Sequence, residues 1–212
     1  MSAPRVGVLA LQGAFREHIE SFHRLGIEAF PVRTENELQL ADAIVLPGGE
    51  STTMDKLLRK FNLQQPLRQR LQDGMPAMAT CAGLILLARD VLDGLPGQES
   101  LDILPISVRR NGYGRQPDSF QADLAFSVLG PSFPGVFIRA PLIESVDSSL
   151  EVLAEHEDRV VAVSSPQVLG LTFHPELSGD DRLHAYFLDL VASTMEDAHT
   201  ASEAQTRQAA RS

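Results

Sequence analysis

The chain has 212 residues, 43% of them hydrophobic, and 18 lysines and arginines against 28 acidic residues give it a formal charge of −10. That length supports one sizeable core and is short for two, the acidity argues against nonspecific nucleic-acid binding, and no apolar run reaches the ~18 residues of a membrane span. One cysteine excludes a disulfide framework and fits a reducing, cytoplasmic setting, and no signal-peptide pattern opens the chain.

In chain order, Arg5–Ala10 reads as a strand and Arg16–Leu25 as an amphipathic helix. Glu28–Val32 and Ala43–Leu46 read as strands, Met54–Phe61 and Pro66–Gln72 as helices, and Ala77–Thr80 as a further strand before a helix-like run, Leu84–Ala88. This β-α alternation predicts an α/β fold with a mostly parallel central sheet and helices on both faces. From Ile106 to Thr172 the pattern changes to short alternating segments. Gln121–Phe126, Val152–Glu155 and Val160–Ser164 predict added antiparallel strands, the last two joined by a turn at His156-Glu157-Asp158. Val168–Phe173 reads as a buried strand and Arg182–Met195 as a closing helix. One domain is expected over residues 1–195. The small polar residues 196–212 read as a mobile tail, with a frayed helix as the alternative.

Three strand-to-turn junctions carry chemistry. After Ala43–Leu46 comes Pro47-Gly48-Gly49-Glu50-Ser51-Thr52-Thr53. Adjacent glycines let backbone N–H groups approach a ligand closely, and Ser51, Thr52 or Thr53 could cap the following helix. The same segment also reads as a plain capped turn. It is not a phosphate loop, because no Gly-Lys-Ser/Thr follows. After Ala77–Thr80 comes Cys81, with Ala82 and Gly83 as small neighbours and a helix directly behind. Such an elbow sets a thiol beside a helix N-terminus, where a thiolate is favoured; the other reading is a buried thiol acting as a small hydrophobe. After Val168–Phe173 comes His174-Pro175-Glu176, a base and an acceptor that could orient it. By itself that tripeptide also reads as a loop histidine and a helix-start acid. All three junctions follow strands, so one shared site beyond the carboxyl ends of the sheet is geometrically reasonable.

These segments resemble the class I, triad-type glutamine amidotransferases, through Pro47-Gly48-Gly49, Thr80-Cys81-Ala82-Gly83 and His174-Pro175-Glu176. Longer matches are similar to the family of glutaminase subunits of pyridoxal 5′-phosphate synthase. These are residues 7–18, 48–54, 110–116, 118–120 and 136–141, within a likeness covering about residues 4–195. One departure is Ala79, where the class often has glycine two residues before the nucleophile.

The resemblance implies a flavodoxin-like three-layer fold and hydrolysis of L-glutamine to glutamate and ammonia. It assigns Cys81, His174 and Glu176 as the catalytic triad, the backbone N–H groups of Gly49 and Ala82 as oxyanion donors, and Gly49, Glu50, Ser51, Arg110, Ile138 and Arg139 as glutamine contacts. Read without it, Arg110 and Arg139 are ordinary solvated charges. The implied partner is a synthase subunit with a (β/α)₈ barrel, which would build pyridoxal 5′-phosphate from a pentose phosphate and a triose phosphate in a hetero-oligomer. Gln12 is a coupling candidate, its alternative being a strand-end residue that satisfies loop backbone. No metal or cofactor is expected: His18 and His23 are five apart, not four, and His156, His184 and His199 have no ligand-like companions. The alternatives are a glutaminase or cysteine hydrolase of the same superfamily serving another pathway, and a noncatalytic binding module on the same fold.

Overall fold

The computed structural model describes residues 3–110, 112 and 119–209. Its frame is a seven-stranded sheet. Strands β1 (Val6–Leu9), β2 (Ala29–Val32), β3 (Ala43–Leu46), β4 (Ala77–Thr80) and β12 (Val168–Leu171) run parallel, while β10 (Glu151–His156) and β11 (Arg159–Ser164) extend one edge antiparallel. The order is β10-β11-β12-β4-β3-β1-β2. Three strands that each precede a chemistry-bearing turn, β3, β4 and β12, are therefore adjacent, and their turns open at one end of the sheet.

The central strands are too apolar to leave a face wet, so both faces are covered. Alternation divides the side chains. Leu9, Ile44, Leu46, Ala77 and Ala79 enter one core with residues of α3 (Ser51–Lys60), α4 (Gln64–Gln72) and α5 (Ala82–Leu87). Val6, Val8, Ala43, Val45 and Met78 enter the other with Phe22 of α1 (Phe15–Arg24) and Leu183, Phe187 and Val191 of α6 (Arg182–Ala209). A small sheet of β5 (Ala88–Val91), β6 (Leu104–Arg109) and β9 (Leu142–Val146) adds to the first face. The hairpin of β7 (Ser119–Phe126) and β8 (Gly130–Ile138) adds Phe126, Phe133 and Phe137 to the second. The α/β class and the added antiparallel strands agree with the sequence reading.

Several local expectations change. Helix α3 begins at Ser51 rather than near Met54, because Glu50 caps it. Its carboxylate reaches the backbone N–H groups of Thr52 (3.1 Å) and Thr53 (2.7 Å), a task the sequence reading gave to the hydroxyl residues. Helix α2 (Glu35–Gln39) was not foreseen, although Thr34 and Glu37 form a reciprocal capping box. Ala88 ends the helix and begins β5, and the expected hairpin turn narrows to Glu157-Asp158, both at positive φ as a tight two-residue hairpin demands. Past residue 196 the backbone is helical to Ala209. Asn111 and residues 113–118, which carry part of the resemblance, lie outside the described residues.

Helix α5 lies so close to β3 that a Cβ on Gly83 would stand 2.0 Å from the Leu46 carbonyl oxygen. Backbone cannot move aside as a flexible side chain can. Gly83→Ala is therefore expected to cost at least about 1–3 kcal/mol, the range for overpacking a tight core, read as a lower urea midpoint. An unchanged midpoint would show that α5 can lift away from the sheet.

Candidate active site

Cys81 lies between β4 and α5 with φ 47° and ψ −105°, a left-handed conformation unusual for a residue with a Cβ. The strand must stop and the helix must start within one residue, and the strained turn is what brings the thiol to the end of the sheet. The site that opens there is a pocket of about 360 Å³. Ten residues singled out in the sequence line it together: Gln12, Gly49, Glu50, Ser51, Cys81, Ala82, Arg110, Ile138, Arg139 and His174. Gly48 of the Gly-Gly turn, with Gly13, Ala14, Ile85 and Leu177, to which the sequence gave no site role, completes the lining. Glu176 is behind the wall, its side chain fully buried.

The His174 ring closes this arrangement. Its Nδ1 is 2.7 Å from Glu176 Oε1. Burial works against its charged form, but hydrogen bonding to Cys81 and to Glu176, with the attraction of both, raises its pKa to about 10. Burial opposes ionisation of Glu176 in turn, yet the neighbouring His18 ring, and the hydrogen bond and charge of His174, leave its pKa below the usual value. The ring also explains Gly48: a Cβ there would meet His174 Cε1 at 2.2 Å, so only glycine lets the loop cross the imidazole. The Cys81 Sγ lies 3.8 Å from the carbonyl oxygen of Ile138.

Opposite the triad, the pocket is polar. Glu50 Oε1 pairs with Arg110 Nη2 at 3.1 Å, and the Arg110 side chain is 15% exposed, so it is no free surface charge. Gln98, missed in the sequence, accepts from Arg110 Nη1 (3.2 Å) and donates to Ser51 Oγ (3.2 Å), bracing two of the pocket residues from outside. Nothing in its neighbours Pro96-Gly97 distinguishes it from an ordinary loop glutamine. Arg139 is exposed at the rim with φ 44°. Gln12 Oε1 accepts the N–H of Glu50 at 2.8 Å, and the Gly48 carbonyl accepts from Ala14 N–H at 3.0 Å. Those two bonds tie the turn after β1 to the Gly-Gly loop. The satisfaction of loop backbone offered as the plain alternative for Gln12 is thus present. No group of three or more His, Cys, Asp or Glu side chains among the described residues is placed to hold a metal ion.

Behind Glu176 lies a feature the sequence reading overlooked. His18, weighed only against His23, and His184, read as lacking ligand-like companions, meet at 2.9 Å between His18 Nδ1 and His184 Nε2, both fully buried. The His18 Nε2 is 3.3 Å from Thr80 Oγ1 and 3.3 Å from Glu176 Oε2. Burial lowers the pKa of both rings, that of His184 to about 3.

The arrangement can present a nucleophilic thiol, a base and an orienting carboxylate to a small polar ligand. A model of the SNO glutamine amidotransferase family matches residues 8–193. The chain is 54% identical over 196 residues to a protein of Acidothermus cellulolyticus named pyridoxal 5′-phosphate synthase subunit PdxT, covering 90% of this chain and 95% of that one. It is 50% identical to the protein of the same name from Mycobacterium avium, covering 92% and 100%. A solved structure described as a glutamine amidotransferase superposes with a TM-score of 0.84 at 48% identity, over 88% of this chain and 98% of that one. A chain in the structure of PurLQS from Thermotoga maritima, at 16% identity and a TM-score of 0.60 over 93% and 99% of the two chains, shares the fold.

The buried histidines give this site a stability signature. A histidine whose folded-state pKa is depressed contributes stability that is complete above its unfolded value near 6.5 and is lost as pH falls below it. The pKa of His174 is raised instead, so its contribution is complete below 6.5 and fades only as pH climbs toward about 10. Between about pH 6.5 and 5, His184 should therefore remove up to about 1.4 kcal/mol of stability per pH unit, and His18 acts in the same direction. Urea unfolding across that interval checks this, with His184→Phe expected to lessen the slope. A flat profile would mean that the folded chain holds these rings charged.

Proposed function

The chain belongs to the SNO glutamine amidotransferase family, and from that premise we propose that it hydrolyses L-glutamine to L-glutamate and ammonia for a pyridoxal 5′-phosphate synthase. The observation that carries the reading is the convergence of Cys81 and His174 in one pocket, with Glu176 2.7 Å behind the histidine.

In this reading the Cys81 sulfur, its proton held by His174, attacks the side-chain amide carbon. The carbonyl electrons move to oxygen, and the oxyanion is received by the N–H groups of Gly49 and Ala82. Ala82 is the first residue of α5, so its N–H is unclaimed within the helix. The Gly48 carbonyl accepts from Ala14 N–H, so the orientation of the Gly48–Gly49 peptide is tied to the turn after β1. Collapse of the tetrahedral species breaks the C–N bond. His174 hands its proton to the leaving nitrogen, releasing ammonia and leaving a γ-glutamyl thioester on Cys81. Water, deprotonated by His174, then attacks the thioester carbon and regenerates the thiol with glutamate. Glu176 keeps the His174 ring in register throughout.

Glu50, Ser51, Arg110, Ile138 and Arg139, with the Gly49 backbone, form the glutamine subsite in this proposal: a carboxylate for the α-ammonium and an arginine for the α-carboxylate. The partner is a (β/α)₈ synthase subunit in a hetero-oligomer, joining the ammonia to a pentose phosphate and a triose phosphate. Gln12 would couple the partner to the Gly-Gly loop. No helix among the described residues is long and apolar enough to cross a membrane, and a cytoplasmic location follows from the need for a reduced thiol. Residues 1–195 would form the catalytic domain.

Ammonia release from glutamine, measured on the purified chain alone and with a synthase subunit, tests the reading. Cys81→Ser should abolish release while leaving the urea midpoint within error; near-normal release would sink the assignment. Synthase at saturation should raise kcat rather than lower KM, since one oxyanion donor brought into place is worth about 10²–10³ in rate. Equal kcat with synthase bound would refute that coupling. A chain ending at Asp197 is expected to keep its kcat, and a loss beyond about twofold would place residues past the catalytic domain in the mechanism.

A further inference from the structure

We propose that His18 is a positioning residue for Glu176, the inner member of a buried relay that runs from His184 through His18 and Glu176 to His174 and Cys81. The inference deepens the glutaminase reading and rests on it for its kinetic test.

The geometry supplies the argument. Glu176 Oε1 is committed to His174 Nδ1 at 2.7 Å. Its Oε2 is fully enclosed and makes no straight hydrogen bond; the nitrogen facing it is His18 Nε2 at 3.3 Å, shared with Thr80 Oγ1 at the same distance. A buried carboxylate oxygen left without any donor would be free to turn or to take up a proton. His18 stands where it can prevent both.

The tautomers are fixed by the same contacts. If His18 carries its proton on Nε2, that N–H is given to Thr80 Oγ1 with its positive end beside Glu176 Oε2, and its bare Nδ1 accepts from His184 Nε2–H at 2.9 Å. The atom then left over is His184 Nδ1, which is buried without a partner. In this tautomer it holds only a lone pair, the less costly group to bury unpaired. The opposite arrangement would point a lone pair of His18 at the carboxylate and bury an unpaired N–H on His184. Both defects disappear in the first.

The rings act as neutral dipoles. Charged groups near them are Glu176 and His174 from the turn after β12, Glu17 on α1 itself, and Asp181 at the head of α6 with Arg24. Burial outweighs these and disfavours the charged form of both rings. A neutral donor orients Glu176 without competing with His174 for its charge. Thr80, the last residue of β4, places its hydroxyl on the same His18 nitrogen, so the strand that ends in the nucleophile also anchors the relay.

The test uses the full chain and two readouts independent of glutamine. In ¹⁵N-histidine NMR, both His18 and His184 should be neutral Nε2–H tautomers from about pH 5.5 to about pH 8; an Nδ1–H or charged His18 overturns the proposal, and this measurement needs no variant. In His18→Phe, the acid limb of Cys81 alkylation by iodoacetamide should move up by about one pH unit, because Glu176 supports the His174 charge less well. Its kcat should fall about ten- to a hundredfold, the range for losing an outer partner of a functional ligand, with KM within about twofold. His18→Gln, which keeps a donor, should recover most of that kcat. An unchanged alkylation profile and kcat in a folded His18→Phe chain would overturn the proposal, as would equal losses in the two variants with an unmoved alkylation profile. Failure of the wild-type chain to release ammonia would instead remove the glutaminase reading and leave the alkylation and tautomer results to be judged alone.

Discussion

A carboxylate enclosed at the end of a parallel sheet has to be answered by donors from several directions, and Glu176 makes that demand here. Its side chain has no solvent exposure. One oxygen is met by His174, from the same turn; the other faces His18, from the first helix. The turn after β12, α1 and, through His184, α6 are thus held to one charge, although 158 residues separate Glu176 from His18 (176 − 18). An apolar residue in place of Glu176 would satisfy the packing and leave the imidazole unaligned.

Two close approaches hold the nucleophile to this frame. The loop after β3 passes under the His174 ring with no room for a Cβ at Gly48, and α5 rests against the end of β3 with no room for one at Gly83. Both contacts involve the end of β3, which pairs directly with β4, the strand that delivers Cys81. The strained backbone at Cys81 is tolerable because packing on both sides over-determines it. Residues 82–87, the helix behind it, are buried without exception.

Much of this was legible in the chain. Apolar runs ending in Gly-Gly, in Cys-Ala-Gly and in His-Pro-Glu declare strands whose ends carry chemistry, because strand and turn propensities are local. What stayed hidden was set by distance. Nothing in the neighbourhood of His18 or His184 announces a partner on the other helix, and His18 sits on an amphipathic face where any buried residue would fit the pattern. Glu50 was read as a ligand and proved also to be a cap, since a long carboxylate can reach back to Thr52 and Thr53 where a hydroxyl was expected to serve. β8 contains Pro131, Pro134 and Gly135, residues that argue locally against a strand. It is tolerated because β8 is paired on one side by β7 alone, so a proline N–H need not be supplied to a second neighbour.

The capping of α3 has a consequence for charge traffic in the pocket. Glu50 Oε1 receives Thr52 N–H and Arg110, and Oε2 receives the N–H and hydroxyl of Thr53, so all four acceptor positions of the carboxylate are filled. A cationic group arriving at Glu50 must displace one of these donors. Two of them are backbone N–H groups in the first turn of a helix and cannot leave without unwinding it; the Thr53 hydroxyl and Arg110 can swing free, and of those two only Arg110 carries a charge. A cation that takes the place of Arg110 leaves a guanidinium whose charge is best answered by an anion on the newcomer. Under the glutaminase proposal, that exchange favours a zwitterion over a simple amine or a simple acid.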